Sequence, residues 1–338
     1  MEFSTSARRA APRLLVTPSG LRVSLTGQRP AADTGGSTCR ARCPRSAPLR
    51  TGRNEGALRR TASSGPGDRV KSTEGSVHDF SGRTVLITGG TRGAGLGTAE
   101  EFLAAGANVV ITGRDQGRVD RVVQRLAEEH HDRVDGIKAH VALEEDRYMS
   151  IALCLSKYGA LDVLFNNAAV NPHVGPCVEI SDSAAQKIME VNVLAPLGYV
   201  RQAWDMWMRD NGGVVVNHAS ISGWAQVHPV TVYGASKAAL IYLTQGLGAQ
   251  LAPRVRVNAV APGTIETGFA DWMYQGREEE SAAYYPMRRH ALPSDVARAV
   301  LWLASDESAY ITGVVIPVDG GMMGYGYPDP YIQGLGRV

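Results

Sequence analysis

Two residues four positions apart, Tyr233 and Lys237, lie in a stretch with helical periodicity. On a helix, positions i and i+4 share one face, so the two side chains project together. A free phenol has a pKa of about 10 and is a poor base near neutral pH. A neighbouring ammonium favours the phenolate and lowers that value. Such a pair can give a proton to a carbonyl oxygen, or take one from a hydroxyl in reverse. Ser220 follows a short apolar run, where its hydroxyl can hydrogen-bond a substrate oxygen as that oxygen gains charge. Each residue alone is commonplace, since a helical Tyr and Lys are ordinary surface residues and a serine after a strand is an ordinary turn residue.

A second cluster lies upstream, in Thr88-Gly89-Gly90-Thr91-Arg92-Gly93-Ala94-Gly95-Leu96-Gly97. Glycines here permit a tight turn and close approach of backbone to a pyrophosphate at a helix N-terminus. A plain strand-to-helix turn needs one glycine, not several. The spacing is T-G-x-x-x-G-x-G, through Thr88, Gly89, Gly93 and Gly95; the G-x-G-x-x-G pattern fails because position 98 is Thr98.

These clusters need a scaffold, and the chain supplies one from Asp79 onward. Apolar β-branched runs at Thr84–Thr88, Ala107–Thr112, Gly136–Val141, Leu161–Phe165, Gly213–His218, Val255–Val260 and Val314–Pro317 read as short buried strands. Helical patterns fall between them, near 95–105, 116–130, 144–158, 183–209, 233–251 and 294–305. Seven strands separated by helices predict an α/β fold, a doubly wound parallel sheet with helices on both faces. Residues 79–338 read as one domain, with no internal linker and no repeat.

In that order and spacing the chain resembles the short-chain dehydrogenase/reductase family. Asn166-Asn167-Ala168-Ala169 resembles the family's N-N-A-G, and Asn192 matches its helix asparagine. Ser220 stands thirteen residues before Tyr233, which opens the Y-x-x-x-K ending at Lys237. Pro262-Gly263 follows the sixth strand, and Val318-Asp319-Gly320-Gly321 closes the last. The resemblance covers about residues 79–324. It implies a Rossmann-type fold and a nicotinamide cofactor, with Asn192, Ser220, Tyr233 and Lys237 as catalytic tetrad. It also implies that Lys237 holds the nicotinamide ribose and that Asn192 ties Lys237 to a proton-relay water. Cofactor contacts are expected at Gly89, Thr91, Arg92, Gly93, Gly95, Arg114, Val141, Asn167, Ala168, Tyr233, Lys237, Pro262, Gly263 and Thr264. A homotetramer is implied, with contacts on the helices near 183–209 and 233–251. Two positions depart from the family pattern: Ala169 replaces a glycine, and His140 stands where the third strand normally ends in an aspartate.

The choice of dinucleotide is made at the end of the second strand. An acid there would accept from a ribose 2′-hydroxyl and repel a 2′-phosphate. Aligned on the family's first glycine, that position is Gly113, which has no side chain. Arg114 follows, and Arg92 sits in the glycine loop, so two guanidinium groups can meet one 2′-phosphate. Asp115 reads as the N-cap of the next helix. NADP(H) is therefore favoured over NAD(H).

Around this centre, His173 and His228 are expected near the pocket mouth, and Trp204 and Trp207 as packing residues. The segment Thr264–Leu292, with Ile265, Phe269, Trp272, Met273 and Tyr274, reads as a mobile cover over an apolar substrate. The reaction expected is NADPH-dependent reduction of a ketone to a secondary alcohol, similar to 3-oxoacyl-carrier-protein reductases. Asn166–Pro172 also looks like a carbonyl/retinal reductase branch of the family. The alternatives are an NAD-dependent secondary-alcohol or sugar dehydrogenase and a non-catalytic, cofactor-sensing binding protein.

Composition sets the outer bounds. The 338 residues are 44% apolar with a formal charge of +2. That total hides 14 Lys and Arg against 5 Asp and Glu in residues 1–78, a net of +9, and 21 against 28 in the rest, a net of −7. The leader, 1–78, is rich in Arg, Ser, Thr, Pro and Gly and is expected to be disordered. Its composition also suits an organellar transit peptide, which would place the protein in a plastid or mitochondrion; otherwise a cytoplasmic location is expected. Its scattered arginines lack interleaved aromatics, so no nucleic-acid partner is expected. No apolar run is long enough for a bilayer, so no membrane partner is expected either. Cys39 and Cys43 lack a second pair or a flanking His, so no metal site is expected, and Cys154 and Cys177 read as reduced, non-catalytic thiols.

Overall fold

The computed structural model describes residues 78–225, 229–269 and 276–325. The expected leader through residue 77, His228, Trp272, Met273 and Tyr274 lie outside the described residues.

Strands covered on both faces are apolar at consecutive positions, and the seven runs behave accordingly. They form β1 (Thr84–Ile87), β2 (Asn108–Gly113), β3 (Val134–Lys138), β4 (Val163–Asn166), β5 (Gly213–His218), β6 (Val255–Pro262) and β7 (Val315–Val318). All pair in parallel, in the order β3-β2-β1-β4-β5-β6-β7. At the centre Leu86 faces Val110 of β2 and Leu164 of β4. Successive side chains alternate faces. Val85, Ile87, Val109, Ile111, Val163 and Phe165 enter one core, and Leu86, Val110, Leu164 and Val215 the other.

Helices α1 (Gly93–Ala104), α2 (Gln116–His130) and α3 (Glu144–Tyr158) connect the first strands. Asp115 caps α2, its side chain accepting from Arg118 N at 2.7 Å, and Gly159 ends α3 in the left-handed region at φ 75°. The bounds of both helices agree with the sequence pattern. The third strand does not: it spans 134–138 rather than 136–141. The Asp146 carboxylate accepts from His140 N at 2.7 Å, and Arg147 Nη1 donates to Val141 O at 2.9 Å. Side chains of α3 thus take the backbone groups that a longer strand would have paired, and Val141 lies in a loop.

The single helix expected over 183–209 is also subdivided. It runs as α4 (Asp182–Met189), a π turn (Glu190–Leu194), α5 (Ala195–Ala203), a second π turn (Trp204–Met208) and α6 (Arg209–Asn211). Pro196 has no N–H for the carbonyl four residues back, that of Asn192, so a regular α ladder cannot pass through Asn192. Trp204 and Trp207 pack, half-buried, against the second core, as their spacing suggested.

The long α7 (Thr231–Leu251) lies along the sheet, followed after β6 by a short α8 (Glu278–Ala282) and by α9 (Pro293–Ala304). The absence of a side chain at Gly97 lets α1 and α9 approach closely: a Cβ there would come within 2.8 Å of Pro293 Cβ. The Arg256 guanidinium ties β6 to the end of α9, donating to Leu303 O, Ser305 O, Ile311 O and Ser308 Oγ at 2.9–3.3 Å. Among the described residues, no helix is long and apolar enough to cross a membrane.

Candidate active site

In a doubly wound sheet, ligands bind beyond the C-terminal strand ends, where the strand order reverses. Here the reversal falls between β1 and β4, and a cleft of about 870 Å³ opens there. Its lining includes Gly89, Thr91, Arg92, Gly93, Arg114, Val141, Asn167, Ala168, Ser220, Tyr233, Lys237, Pro262, Gly263 and Thr264. Gly95 lies buried beneath the glycine loop, and Asn192 stands behind the cleft wall, 1% exposed.

At one end the chain forms a cradle. Gly89 and Gly93 take φ values of 66° and 56°, a region that strains any residue with a Cβ. A Cβ on Gly95 would lie 2.5 Å from both Asn167 Nδ2 and Gly89 O. The glycine pattern therefore lets the loop sit directly on Asn167. At Gly113 a Cβ would meet Thr91 Cγ2 at 2.7 Å and Val119 Cγ2 at 2.9 Å, so an acidic side chain is not accommodated. Asp115, the next carboxylate, is occupied by its capping bond, and Glu100 pairs with Arg125 at 2.8 Å. Arg92, Arg114 and Arg118 all border this end, and none pairs with a carboxylate among the described residues. The backbone cradle and the unpaired cations fit a dinucleotide phosphate.

At the other end, Ser220 caps a short turn (Ile221–Gly223) and accepts from Ser222 N and Oγ at 3.2 and 2.9 Å. This turn lies tightly on α7: a Cβ on Gly234 would be 2.7 Å from Ser222 O, and one on Gly223 would be 2.8 Å from the Lys237 backbone. The close contact carries Ser220 to Tyr233. Burial pushes the Tyr233 phenol above its usual value, while a hydrogen bond with the Ser220 side chain draws it down. Lys237 is 2% exposed. Its Nζ donates to His218 O at 2.5 Å and lies 5.5 Å from the Tyr233 ring centroid. Burial lowers its pKa from 10.5 to about 7. The sequence alone suggested that Lys237 would lower the phenol's pKa; in the structure desolvation prevails and the shift is upward. The proton is thereby kept on the phenol at neutral pH.

The Asn192 side chain pairs with the Val170 backbone in both directions, at 2.9 and 3.0 Å, and donates to Ser236 Oγ at 3.1 Å. It makes no direct bond to Lys237. Ile221, Val230, Phe269, Tyr284 and Met322 give the cleft an apolar wall beside Tyr233, with Phe269 tilted against the Tyr233 ring at 6.1 Å. Thr264 is fixed by Tyr285, whose hydroxyl accepts from Thr264 N and donates to Thr264 Oγ1. His173 is not part of the cleft lining; its Nε2 lies 3.0 Å from Pro176 O. His140 does border the cleft, with Lys187 Nζ 3.2 Å from its Nε2. Burial, Lys187 and Arg114 hold it below the usual histidine value. Arg118 and His218 were not singled out from the sequence. Arg118 could have been found as the cation three residues after the α2 N-cap, but His218 carries no motif.

Residues 89–323 match the family described as Enoyl-(Acyl carrier protein) reductase. The chain is 34% identical over 249 residues to Dehydrogenase/reductase SDR family member 4 of Caenorhabditis elegans, covering 72% of this chain and 96% of that protein. It is 35% identical over 244 residues to Tropinone reductase-like 3 of Erythroxylum coca, covering 72% and 93%. Among solved structures, a short-chain dehydrogenase/reductase (glucose/ribitol dehydrogenase) from Brucella melitensis aligns with a TM-score of 0.69 at 30% identity, covering 72% of this chain and 98% of that one. ElxO with NADP bound aligns with a TM-score of 0.67 at 30% identity, covering 72% and 99%. A parallel sheet with this strand order, carrying these motifs in this sequence and these likenesses along most of its length, has one reading: the chain belongs to the short-chain dehydrogenase/reductase family, oxidoreductases that act on hydroxyl or carbonyl groups with a nicotinamide dinucleotide.

Proposed function

We propose that this enzyme uses NADPH in preference to NADH to reduce a ketone to a secondary alcohol, in the manner of 3-oxoacyl-carrier-protein reductases. The observation that carries the reading is one cleft with unpaired arginines at one end and the Ser220–Tyr233–Lys237 group at the other. When bound, the nicotinamide supplies the hydride. Tyr233, kept protonated by burial, gives its proton to the ketone oxygen. Ser220 holds that oxygen as it gains charge, with its own position set by Ser222. Lys237 holds the cofactor ribose and returns a proton to Tyr233, and Asn192 supports the group through Val170 and Ser236.

Gly89, Thr91, Gly93, Gly95, Val141, Asn167, Ala168, Pro262, Gly263 and Thr264 form the cofactor bed, with Arg92 and Arg114 on the 2′-phosphate. The ElxO structure with NADP bound is consistent with this choice of cofactor. The apolar wall from Ile221 to Met322 favours a ketone with an apolar body. The likeness to a tropinone reductase-like protein supports ketone chemistry.

The test is a screen of ketones and β-ketoacyl thioesters, following oxidation of NADPH and NADH in parallel. Tyr233→Phe should lower turnover by about 10²–10⁴-fold while leaving NADPH affinity within about threefold. Unchanged turnover, or a strong preference for NADH, would overturn the reading.

The assembly we propose is a homotetramer. Met189, Leu194 and Tyr242, the last 78% exposed, place apolar surface on α4, the π turn and α7. Sedimentation equilibrium giving a monomer mass would exclude it. For the leader we propose a segment separate from the catalytic domain of 79–338, and mass spectrometry of the mature N-terminus would show whether it is removed.

A further inference from the structure

His218, the last residue of β5, stands two positions before Ser220 and borders the cleft. Strand alternation puts its side chain on the sheet face opposite to that of Asn217, the face that carries Val216 and Phe165. Its ring stacks on Phe165, with centroids 5.9 Å apart and planes 11° apart. Its Nδ1 lies 2.9 Å from Asn167 Oδ1.

The neighbours of Asn167 determine where the imidazole proton sits. Asn167 Nδ2 donates to Thr88 O at 2.9 Å and to Gly89 O at 3.1 Å. The reverse amide orientation would set an oxygen against two carbonyl oxygens. Asn167 Oδ1 is therefore an acceptor, and the His218 nitrogen facing it must carry the proton. Burial and the nearby Lys237 hold the ring neutral, with a pKa of about 3. The proton thus stays on Nδ1 throughout the neutral range.

Two links meet at this residue. Through its side chain, His218 holds the Asn167 amide, which supports the first turn of the glycine loop and fills the space against Gly95. Through its main-chain carbonyl, it holds Lys237 Nζ at 2.5 Å. No other residue among the described ones bonds both Asn167 and Lys237.

We propose that His218 is a positioning residue that locks the glycine loop to the catalytic lysine, setting cofactor affinity through its Nδ1–H bond to Asn167. The proposal rests on the reading of this cleft as a nicotinamide dinucleotide site. Without the donor, Asn167 Oδ1 is left unpaired, and the amide gains freedom to turn away from Thr88 O and Gly89 O.

Two substitutions in the full chain separate this role from simple packing. His218→Phe keeps a ring on Phe165 but removes the donor. His218→Asn removes the ring but leaves an N–H close to where Nδ1 stood. NADPH affinity is read by calorimetric titration without substrate, and stability by thermal unfolding. The expected result is about a tenfold rise in the NADPH dissociation constant for His218→Phe and no more than about threefold for His218→Asn, even if the latter melts earlier. Affinity that follows ring retention, or is unchanged in His218→Phe, overturns the proposal. If His218→Phe does not fold, His218→Leu replaces it with the same expectation. Failure of the parent chain to bind either NADPH or NADH would instead overturn the cofactor reading itself.

Discussion

Replacing Arg114 by alanine should weaken NADPH binding selectively, leaving NADH binding and the chemistry as they are. Gly113 leaves no room for the carboxylate that would select a 2′-hydroxyl, and both nearby acids, Asp115 and Glu100, are already engaged. What remains at the rim is positive: Arg92, Arg114 and Arg118. A hydrogen bond from a charged donor contributes about 1.5–3 kcal/mol. Arg114 is exposed, so solvent and salt screening favour the lower figure. About 1.5 kcal/mol corresponds to roughly a tenfold loss of affinity. Arg114→Ala should therefore raise the NADPH dissociation constant about tenfold and leave NADH within about twofold. The loss should shrink as ionic strength rises through the Debye regime. Adding Arg92→Ala should bring the total toward about a hundredfold if the two contacts are independent. Fluorescence titration of both cofactors at low and high salt measures all of this. Equal losses for NADPH and NADH, or no loss for NADPH, would refute the reasoning.

Other outcomes follow from the same geometry. Gly95→Ala places a Cβ 2.5 Å from Asn167 Nδ2 and Gly89 O, so calorimetry should show dinucleotide binding reduced by more than about tenfold. Arg256→Met strips the donor from three main-chain carbonyls and Ser308; chemical denaturation should show a loss of about 3 kcal/mol, with the m-value unchanged. Lys237 keeps its proton up to about pH 10.5 when unfolded but only to about 7 when folded. The unfolded state thus binds more protons between these values, and stability should climb as pH rises from about 7 toward 10. Thermal melts of Lys237→Met across that range should lack the climb.

Much of this arrangement is legible in the sequence because it depends on local chemistry. The strands are short apolar runs with no alternative use, and α2 and α3 begin or end at residues that can do little else, Asp115 and Gly159. Tyr233 and Lys237 needed only helical spacing to be placed together. The misreadings depend on where side chains turn and on what covers them, which spacing alone does not show. The third strand ends early because Asp146 and Arg147 take its backbone groups from another element. The shift of the Tyr233 phenol reverses because desolvation depends on what covers it, which spacing does not reveal. His173 turns to the Pro176 carbonyl rather than to the cleft. His218 gains its role only through Phe165 and Asn167 at the end of β4 and Lys237 on α7.

The π turn at Glu190–Leu194 has a consequence for how this region tolerates change in length. One extra residue per turn rotates everything downstream by about 100° relative to an uninterrupted α-helix. Upstream, Ile188 faces inward; downstream, Ala195, Tyr199, Val200 and Ala203 do, with the Tyr199 hydroxyl 3.1 Å from Ser150 Oγ. The angle between these two buried sets is set by the wide turn rather than by an ordinary helical count. Deleting a single residue between 190 and 194 would restore an ordinary helical count and swing Tyr199 off its buried partner. A paired deletion and insertion on either side of Asn192 would keep the phase. The wide turn thus acts as a vernier, letting one helix align its first half with the cleft and its second half with the core.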